Sequence, residues 1–442
     1  MYTIKPLSSV KKQITVPPDK SISHRAVILS SLCSGKTTIK PFIESDDILT
    51  TLNCMKKLGV GAKLTKKSLT ISGTGMYFKP KLKKIPVSLY AAESGTTMRI
   101  LSGLLCSQKF TTIFEAAPSL SKRPMERVVA PLKEMGAIIS GVSKESAASG
   151  KKDIYPPLRI EPAKKIISNE FMLEVASAQI KSAIMLAALY AKGKTIITEP
   201  YRSRDHTERM LKLFGANIIV KDTTVTCQPV KHLVSPGNLL IPGDFSSAAF
   251  FIVLGLILRN SRLIIKDVNI NPTRCGLLNV LKRMGANIKI TNEKNTYEPY
   301  ADIIVESSQL KAAIVEPDEV PSMIDEIPVL CVASSFAEGK TQIKGVKELR
   351  VKETDRVRSM IVNLSKAGVD IYEESYGNDL KIVIAGKRKH KACNFESFHD
   401  HRTAMSMIIF AMALEDGSRI DDTFCINKSF PEFISLVKSL YK

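Results

Sequence analysis

One apolar helix pattern recurs six times along the chain, and that recurrence limits the fold more than any other feature. The copies begin near Ser21, Ser94, Ser177, Ser246, Asp325 and Arg402. Each opens on small or charged residues and then runs apolar, as in SISHRAVILSSL, SGTTMRILSGLL, SAQIKSAIMLAALYA and SSAAFFIVLGLIL. A helix that is apolar on nearly every side has to be buried on nearly every side. Each copy therefore needs its own cover of other elements.

The cover is legible between the copies. Most are followed by a turn and a strand, as in SGKTTIKPF, AKGKTIITEP and AEGKTQIKGV. An amphipathic helix comes next, and five of these share an ending: MKKLGV, LKEMGA, LKLFGA, LKRMGA and LSKAGV. The glycine of each ending is placed for the left-handed residue that closes a helix. A β-rich segment such as NIIVKDTTVTC completes the unit. The last amphipathic helix, PEFISLVKSLY, has no strand after it, and the first residues, YTIKPL, read as a strand with no helix before it. The N-terminal strand is therefore expected to complete the sixth unit. The period, roughly 75 residues, is too long for a solenoid. The expected class is α/β, with two domains of three units each: residues 1–19 plus 241–442 as a discontinuous domain, and residues 20–240 as the second. Crossings near Pro17-Pro18 and Pro242-Gly243 are expected to act as hinges. The GKT triplets are expected to be turns. A phosphate-binding loop needs a glycine five residues earlier, where this chain has Ser30, Ala188 and Ser334.

Composition narrows the function. A formal charge of +21 is compatible with nucleic acid, an acidic membrane surface or small anions. There is no Trp, and the lysines are spread along the chain rather than interleaved with aromatics, which disfavours nucleic acid. The apolar run from Ala248 to Leu258 is too short to cross a bilayer, and no signal-peptide pattern opens the sequence. Eight cysteines, none at CxxC spacing, point away from zinc and disulfides and towards the cytoplasm.

Polar residues collect at the helix starts: Lys20, Ser21 and Arg25; Ser94 and Gly95; Ser177 and Gln179; Asp325 and Glu326; Asp400, His401 and Arg402. Taken singly, each reads as a cap. Taken together, they coincide with the N–H groups and partial positive charge of helix N-termini. If the helices run parallel within each domain, two domains facing each other make a place for anions.

Several segments carry a more specific resemblance: PPDKSISHRA at 17–26, SGTTMR at 94–99, KRPM at 122–125, SAQIKSA at 177–183, SRDHTERM at 203–210, LRVKETDR at 349–356, DHRTAM at 400–405 and KSFPEF at 428–433. Together, in this order, they resemble the phosphoshikimate enolpyruvyl transferases, and SAQIKSA and SRDHTERM resemble the bacterial branch called class II. The resemblance implies the two-domain enolpyruvyl transferase fold, an inside-out α/β barrel in which each domain has three βαβαββ units around parallel buried helices. It also implies transfer of the enolpyruvyl group of phosphoenolpyruvate to the 5-hydroxyl of shikimate 3-phosphate.

By the same resemblance, Lys20, Ser21, Arg25, Ser177, Ala178, Gln179, Arg204, Asp325 and Lys352 bind shikimate 3-phosphate. Lys20, Gly95, Arg123, Gln179, Arg356, Arg402 and Lys428 bind phosphoenolpyruvate. Asp325 is the base for the attacking hydroxyl, assisted by Lys20, and Glu353 is the acid for C3. No cofactor and no metal are implied. The partners are the two small molecules, with no nucleic acid and no membrane, and the chain is expected to be a cytoplasmic monomer. His401 reads equally as an orienting group or a structural histidine. Four positions depart from the family pattern: Glu93 and Glu348 stand where Asn is common, Pro18 where Gly is usual, and Ile100 where one branch has Pro. Glu93 places a carboxylate beside the expected phosphoenolpyruvate site. A related transferase family acts on UDP-N-acetylglucosamine with a catalytic-loop Cys, and Ser119 to Arg123 contains none.

Overall fold

The glycines that close the five similar helix endings, Gly59, Gly136, Gly215, Gly285 and Gly368, all have φ between 81° and 99°. A side chain at these positions would meet its own backbone, so glycine lets each amphipathic helix stop and turn into a strand. The structure, a computed structural model, describes residues 1–80, 86–145, 150 and 152–442.

The chain divides into two compact units, Met1–Asp19 with Pro242–Lys442, and Lys20–Ile241. In Lys20–Ile241, strand Val87–Tyr90 leads to helix Gly95–Leu105, strand Thr112–Glu115, helix Glu126–Glu134 and hairpin Ile138–Glu145 with Lys152–Glu161. The first strand lies parallel to the second, the second antiparallel to the fourth, and the fourth antiparallel to the third. The same order recurs in Glu170–Met172, Thr195–Thr198, Thr224–Cys227 and Ile218–Lys221. The remaining repeat takes its first strand from the far end of the unit: Leu233–Val234 and Asn238–Leu240 pair parallel with Cys33–Lys40.

The discontinuous unit repeats this plan. Lys11–Thr15 pairs parallel with Arg262–Asn269, and Ile314–Val315 with Gly339–Lys344. In the last repeat Ser418–Ile420 is flanked by Asn394–Phe395 and, antiparallel, by Tyr2–Ile4. The N-terminal strand does complete the sixth unit, which has three strands rather than four. The segments at the two crossings lie side by side inside this unit: Asp19 N–H donates to Pro242 O and Asp244 N–H to Pro17 O, both at 2.8 Å.

The six apolar helices are buried as their pattern requires. Every residue from Ile22 to Leu32, from Phe245 to Leu256 and from His401 to Met412 is buried. Each large apolar side chain so covered stabilises the fold by about 1.5–3 kcal/mol relative to exposure. Helices Gly95–Leu105 and Ala178–Ala188 approach so closely that a Cβ at Gly103 would lie 2.0 Å from Ala183 O.

Two readings of the sequence need correction. GKT at 35–37 is not a turn: strand Cys33–Lys40 contains it, because Gly35 and Lys36 pair with Gly73 and Ser72. GKT at 339–341 likewise lies within strand Gly339–Lys344. Among the described residues no helix is long and apolar enough to cross a membrane.

Candidate active site

Part of the polar bias at the helix starts is capping. Ser94 Oγ accepts from Thr97 N at 3.2 Å and Ser177 Oγ from Ile180 N at 3.4 Å. Asp244 Oδ1 accepts from Ser246 N at 2.7 Å, and Asp400 Oδ1 from Arg402 N at 2.8 Å. These side chains satisfy N–H groups that the helix cannot, which fixes where each N-terminus lies.

In Lys20–Ile241, Arg25 is buried and held from three sides. Its Nε donates to Thr207 Oγ1 at 2.6 Å, one terminal nitrogen to Ser182 Oγ at 2.8 Å, and the other to Ser21 O at 2.9 Å. This brings together the Lys20–Leu32 helix, the helix capped by Ser177 and the SRDHTERM segment. Lys20 pairs with Asp47 at 2.9 Å. A second group surrounds Gly95. Gln179 Oε1 accepts from Arg99 at 3.0 Å, and Gln179 Nε2 donates to Thr96 Oγ1 at 2.9 Å. A Cβ at Gly95 would lie 2.8 Å from a terminal nitrogen of Arg99 and 3.1 Å from one of Arg123. Gly95, Arg123 and Gln179 therefore lie together, with Arg99 among them. Ser177 caps the helix that Ala178 begins.

Arg204 is half-buried in a loop that Lys181 secures. The Lys181 ammonium, 1% exposed, bonds Glu199 at 2.6 Å and Glu208 at 2.8 Å. Loss of hydration pulls its pKa down, but the two carboxylates outweigh this and hold it above its ordinary value. Burial raises Glu208 in turn. A chain of bonds from His24 links three helices, Lys20–Leu32, Asp46–Lys57 and Gly95–Leu105: its Nδ1 bonds Thr51 Oγ1 at 2.7 Å, Thr51 bonds Thr97 Oγ1 at 2.7 Å, and Thr97 donates to Ser94 Oγ at 2.7 Å.

In the discontinuous unit, charge converges on Arg356, which is 1% exposed. Its Nε donates to Asp400 Oδ2 at 2.9 Å, and its terminal nitrogens reach Asp325 Oδ1 at 3.1 Å and Glu353. Burial opposes the charge on Arg356, yet Asp400, Glu353 and Asp325 keep it protonated. Arg402 lies 3.5 Å from Asp325 Oδ1 and donates to Asp325 O at 3.2 Å. Asp325, Glu353, Arg356 and Arg402 thus form one cluster. Lys352 borders it: its ammonium is lowered from its ordinary pKa by lost hydration, which Asp325 and Glu348 only partly offset. Lys428 ends the turn Phe424–Lys428, which packs on the His401–Met412 helix. His401 is buried at the start of that helix.

Sequence reasoning missed Asp47, Arg99, the Lys181 carboxylates and Arg274. Arg99 had a signal, since it lies one turn after Gly95 within SGTTMR. Lys181 had one too: a lysine inside an apolar helix requires a buried counter-charge. Asp47 and Arg274 had none, because their partners lie 27 and 52 residues away.

Among curated proteins, a 3-phosphoshikimate 1-carboxyvinyltransferase of Petrotoga mobilis is 44% identical over 439 residues, covering 99% of this chain and 98% of that protein. One of Thermodesulfovibrio yellowstonii is 45% identical over 443 residues, covering 99% of both. Among solved structures, an EPSP synthase of Acinetobacter baumannii superposes with a TM-score of 0.85 at 38% identity, covering 99% of this chain and 97% of that one. The family profile described as EPSP synthase (3-phosphoshikimate 1-carboxyvinyltransferase) matches residues 4–436.

Proposed function

The chain belongs to the EPSP synthase family, and on that premise we propose that the charged groups around Arg25, Gly95 and Arg356 carry the family's reaction. The chain transfers the enolpyruvyl group of phosphoenolpyruvate to the 5-hydroxyl of shikimate 3-phosphate and releases phosphate, a step of aromatic amino-acid biosynthesis.

Both substrates carry a phosphate and a carboxylate. Arginine forks match these planar and tetrahedral anions, and lysine adds a point charge. In our reading Arg25 takes the shikimate carboxylate, while Ser177, Ala178, Gln179 and Arg204 surround its phosphate. Ser21 and Lys352 complete that substrate's contacts. Gly95, Arg123, Gln179, Arg356, Arg402 and Lys428 bind phosphoenolpyruvate, and Lys20 serves both. Asp325 takes the proton of the 5-hydroxyl as the oxygen attacks C2, and Glu353 gives a proton to C3. The tetrahedral intermediate then loses phosphate from C2 and a proton from C3, which restores the double bond. The arginines stabilise the charge that develops on the departing phosphate.

The observation that supports these roles best is the convergence of Asp325, Glu353 and Asp400 on one buried guanidinium. A buried arginine holds two proposed proton carriers at fixed positions, beside a second arginine. We also propose a monomer in the cytoplasm, consistent with eight unpaired cysteines.

The test is phosphate release that requires both substrates, with an enolpyruvyl ether as the other product. Turnover with UDP-N-acetylglucosamine in place of shikimate 3-phosphate would overturn the reading.

A further inference from the structure

A second buried guanidinium lies outside these roles. Arg274 follows strand Arg262–Asn269, and its side chain is 1% exposed. One terminal nitrogen donates to both oxygens of Glu326, each at 3.1 Å. The other donates to Asp244 Oδ1 at 3.3 Å and to the Ser246 hydroxyl, and Nε lies 3.9 Å from Asp19. The Ser246 hydroxyl itself donates to Glu326. The backbone that carries Arg274 is fixed as well. Asn269 and Asn271 both donate to the buried carboxylate of Glu298, at 3.1 and 3.0 Å, and Arg274 N donates to Asn271 O at 2.8 Å.

We propose that Arg274 is a positioning residue for the transfer reaction, which clamps the Glu326 carboxylate and so holds Asp325 and Arg402 in register. The proposal rests on the role assigned to Asp325 above. Glu326 occupies the N-cap position of helix Ile327–Ser335, with its side chain turned away from the helix N–H groups, and Asp325 immediately precedes it. Their environments differ: the Glu326 side chain is 1% exposed and that of Asp325 18%. Glu326 points inward to Arg274, which leaves Asp325 to meet Arg356 and Arg402. Arg402 spans both residues, at 3.2 Å from Asp325 O and 3.7 Å from Glu326 Oε1. A shift of Glu326 would therefore move the proposed base and a proposed phosphoenolpyruvate ligand together.

Stability alone explains this cluster poorly. Taking a guanidinium and three carboxylates out of water is costly, and well-packed apolar residues often do as well or better. What charged pairs with fixed geometry add is register. A reacting group displaced by about 1 Å can lose about a hundredfold in rate.

The test compares Arg274→Lys, Arg274→Gln, Arg274→Gln/Glu326→Gln, Asp325→Asn and Arg274→Lys/Asp325→Asn in the full chain. Arg274→Lys keeps the charge and loses the fork. We expect kcat to fall about tenfold or more as Asp325 shifts, KM for phosphoenolpyruvate to rise severalfold as Arg402 shifts with it, KM for shikimate 3-phosphate to stay within about threefold, and Tm to stay within a few degrees. Arg274→Gln leaves Glu326 with the Ser246 hydroxyl and Arg402 at 3.7 Å but without its nearest counter-charge, and adding Glu326→Gln should recover kcat about fivefold, because a poorly compensated buried charge is worse than two amides. The reading that distinguishes positioning from general stability is the cycle with Asp325. If Arg274 acts through Asp325, Arg274→Lys costs little further kcat once Asp325 is Asn. A full additional tenfold loss there overturns the proposal. Wild-type kcat in folded Arg274→Lys overturns it too, while leaving the role of Asp325 intact. Wild-type turnover in Asp325→Asn overturns both.

Discussion

Arg356 donates to the Asp325 carboxylate at 3.1 Å, so the proposed base is already paired in the structure. The same guanidinium holds Glu353. In the proposed site, phosphoenolpyruvate would bring two anionic groups that compete for this arginine and for Arg402. The first prediction follows from that shared partner. Asp325→Ala and Glu353→Gln should each lower turnover by about a hundredfold or more, the usual scale for a general base or acid. Calorimetry should still detect shikimate 3-phosphate binding to both variants, because Arg25, Ser177 and Gln179 are unchanged. Near-normal turnover in either variant removes that residue from the mechanism.

Two glycines in one helix should fail in different ways. An alanine Cβ at Gly95 would meet the ends of two flexible side chains, Arg99 at 2.8 Å and Arg123 at 3.1 Å. These can move, so Gly95→Ala should fold with Tm within a few degrees of wild type. The displaced guanidinium should raise KM for phosphoenolpyruvate about tenfold, the equivalent of about 1.4 kcal/mol. At Gly103 the Cβ would lie 2.0 Å from Ala183 O, part of a helix backbone that cannot yield. Gly103→Ala should destabilise by about 1–3 kcal/mol and lower Tm by several degrees. Thermal melts and steady-state kinetics on both variants decide the matter. An unchanged KM in Gly95→Ala places Arg123 away from the substrate.

Glu93 precedes the cap of that helix and is half-buried. If its carboxylate faces phosphoenolpyruvate, like charges a few ångströms apart repel by about 4 kcal/mol at an effective dielectric near 20. Neighbouring cations cancel most of this, which leaves about 1 kcal/mol, or roughly fivefold in affinity. Glu93→Asn should lower KM for phosphoenolpyruvate by that factor and leave KM for shikimate 3-phosphate unchanged. A raised or constant value for phosphoenolpyruvate would show that Glu93 is turned to another partner.

His24 gives the fold an acid-sensitive point. Burial, with Lys20 and Arg25 adding to it, lowers its pKa well below the ordinary 6.5. It is neutral in the native state, with Nδ1 bonded to Thr51 and no hydrogen-bond partner for Nε2 among the described residues. The unfolded chain therefore takes up a proton near pH 6.5 that the folded one resists. Its contribution is fully present above pH 6.5 and is lost as pH falls from there towards the folded pKa. One such proton changes stability by at most about 1.4 kcal/mol per pH unit. Urea unfolding of His24→Asn and wild type at pH 7.5, 6.5 and 5.5 should show the variant losing less between the last two points. Parallel pH profiles would contradict this account.

The repeat was readable because it rests on local chemistry. An apolar helix such as Phe245–Ile257, followed by a turn, an amphipathic helix and a glycine with positive φ, requires only neighbours in sequence. Even the N-terminal strand could be placed with Ser418–Ile420, since the sixth unit lacked one. Buried charge was not readable in the same way. Nothing near Arg274 in NPTRCGLL announces Glu326, and nothing near Lys20 announces Asp47. Such pairs are settled by tertiary packing, which a hydrophobic period does not encode. Boundaries failed where pairing overrode turn chemistry: Gly35 reads as a turn, but its antiparallel partner Gly73 draws it into a strand.

Lys352 tests the same tertiary effect in solution. Lost hydration lowers its ammonium from the ordinary 10.5, and Arg356 lowers it further, while Asp325, Glu348 and Glu353 push the other way. Two consequences have opposite signs. If the charged form binds shikimate 3-phosphate, kcat/KM for that substrate should fall as pH rises through a free-enzyme pKa below 10.5. Over the window from the folded pKa up to 10.5, the unfolded state holds more protons than the native one. Stability from this group therefore rises with pH where affinity falls. Lys352→Arg keeps its charge throughout and should lose the alkaline limb of kcat/KM. Lys352→Met should lose that limb as well, with a much raised KM at every pH, and its stability should no longer rise over the same window. An alkaline limb that persists in both variants belongs to another group and removes Lys352 from substrate binding.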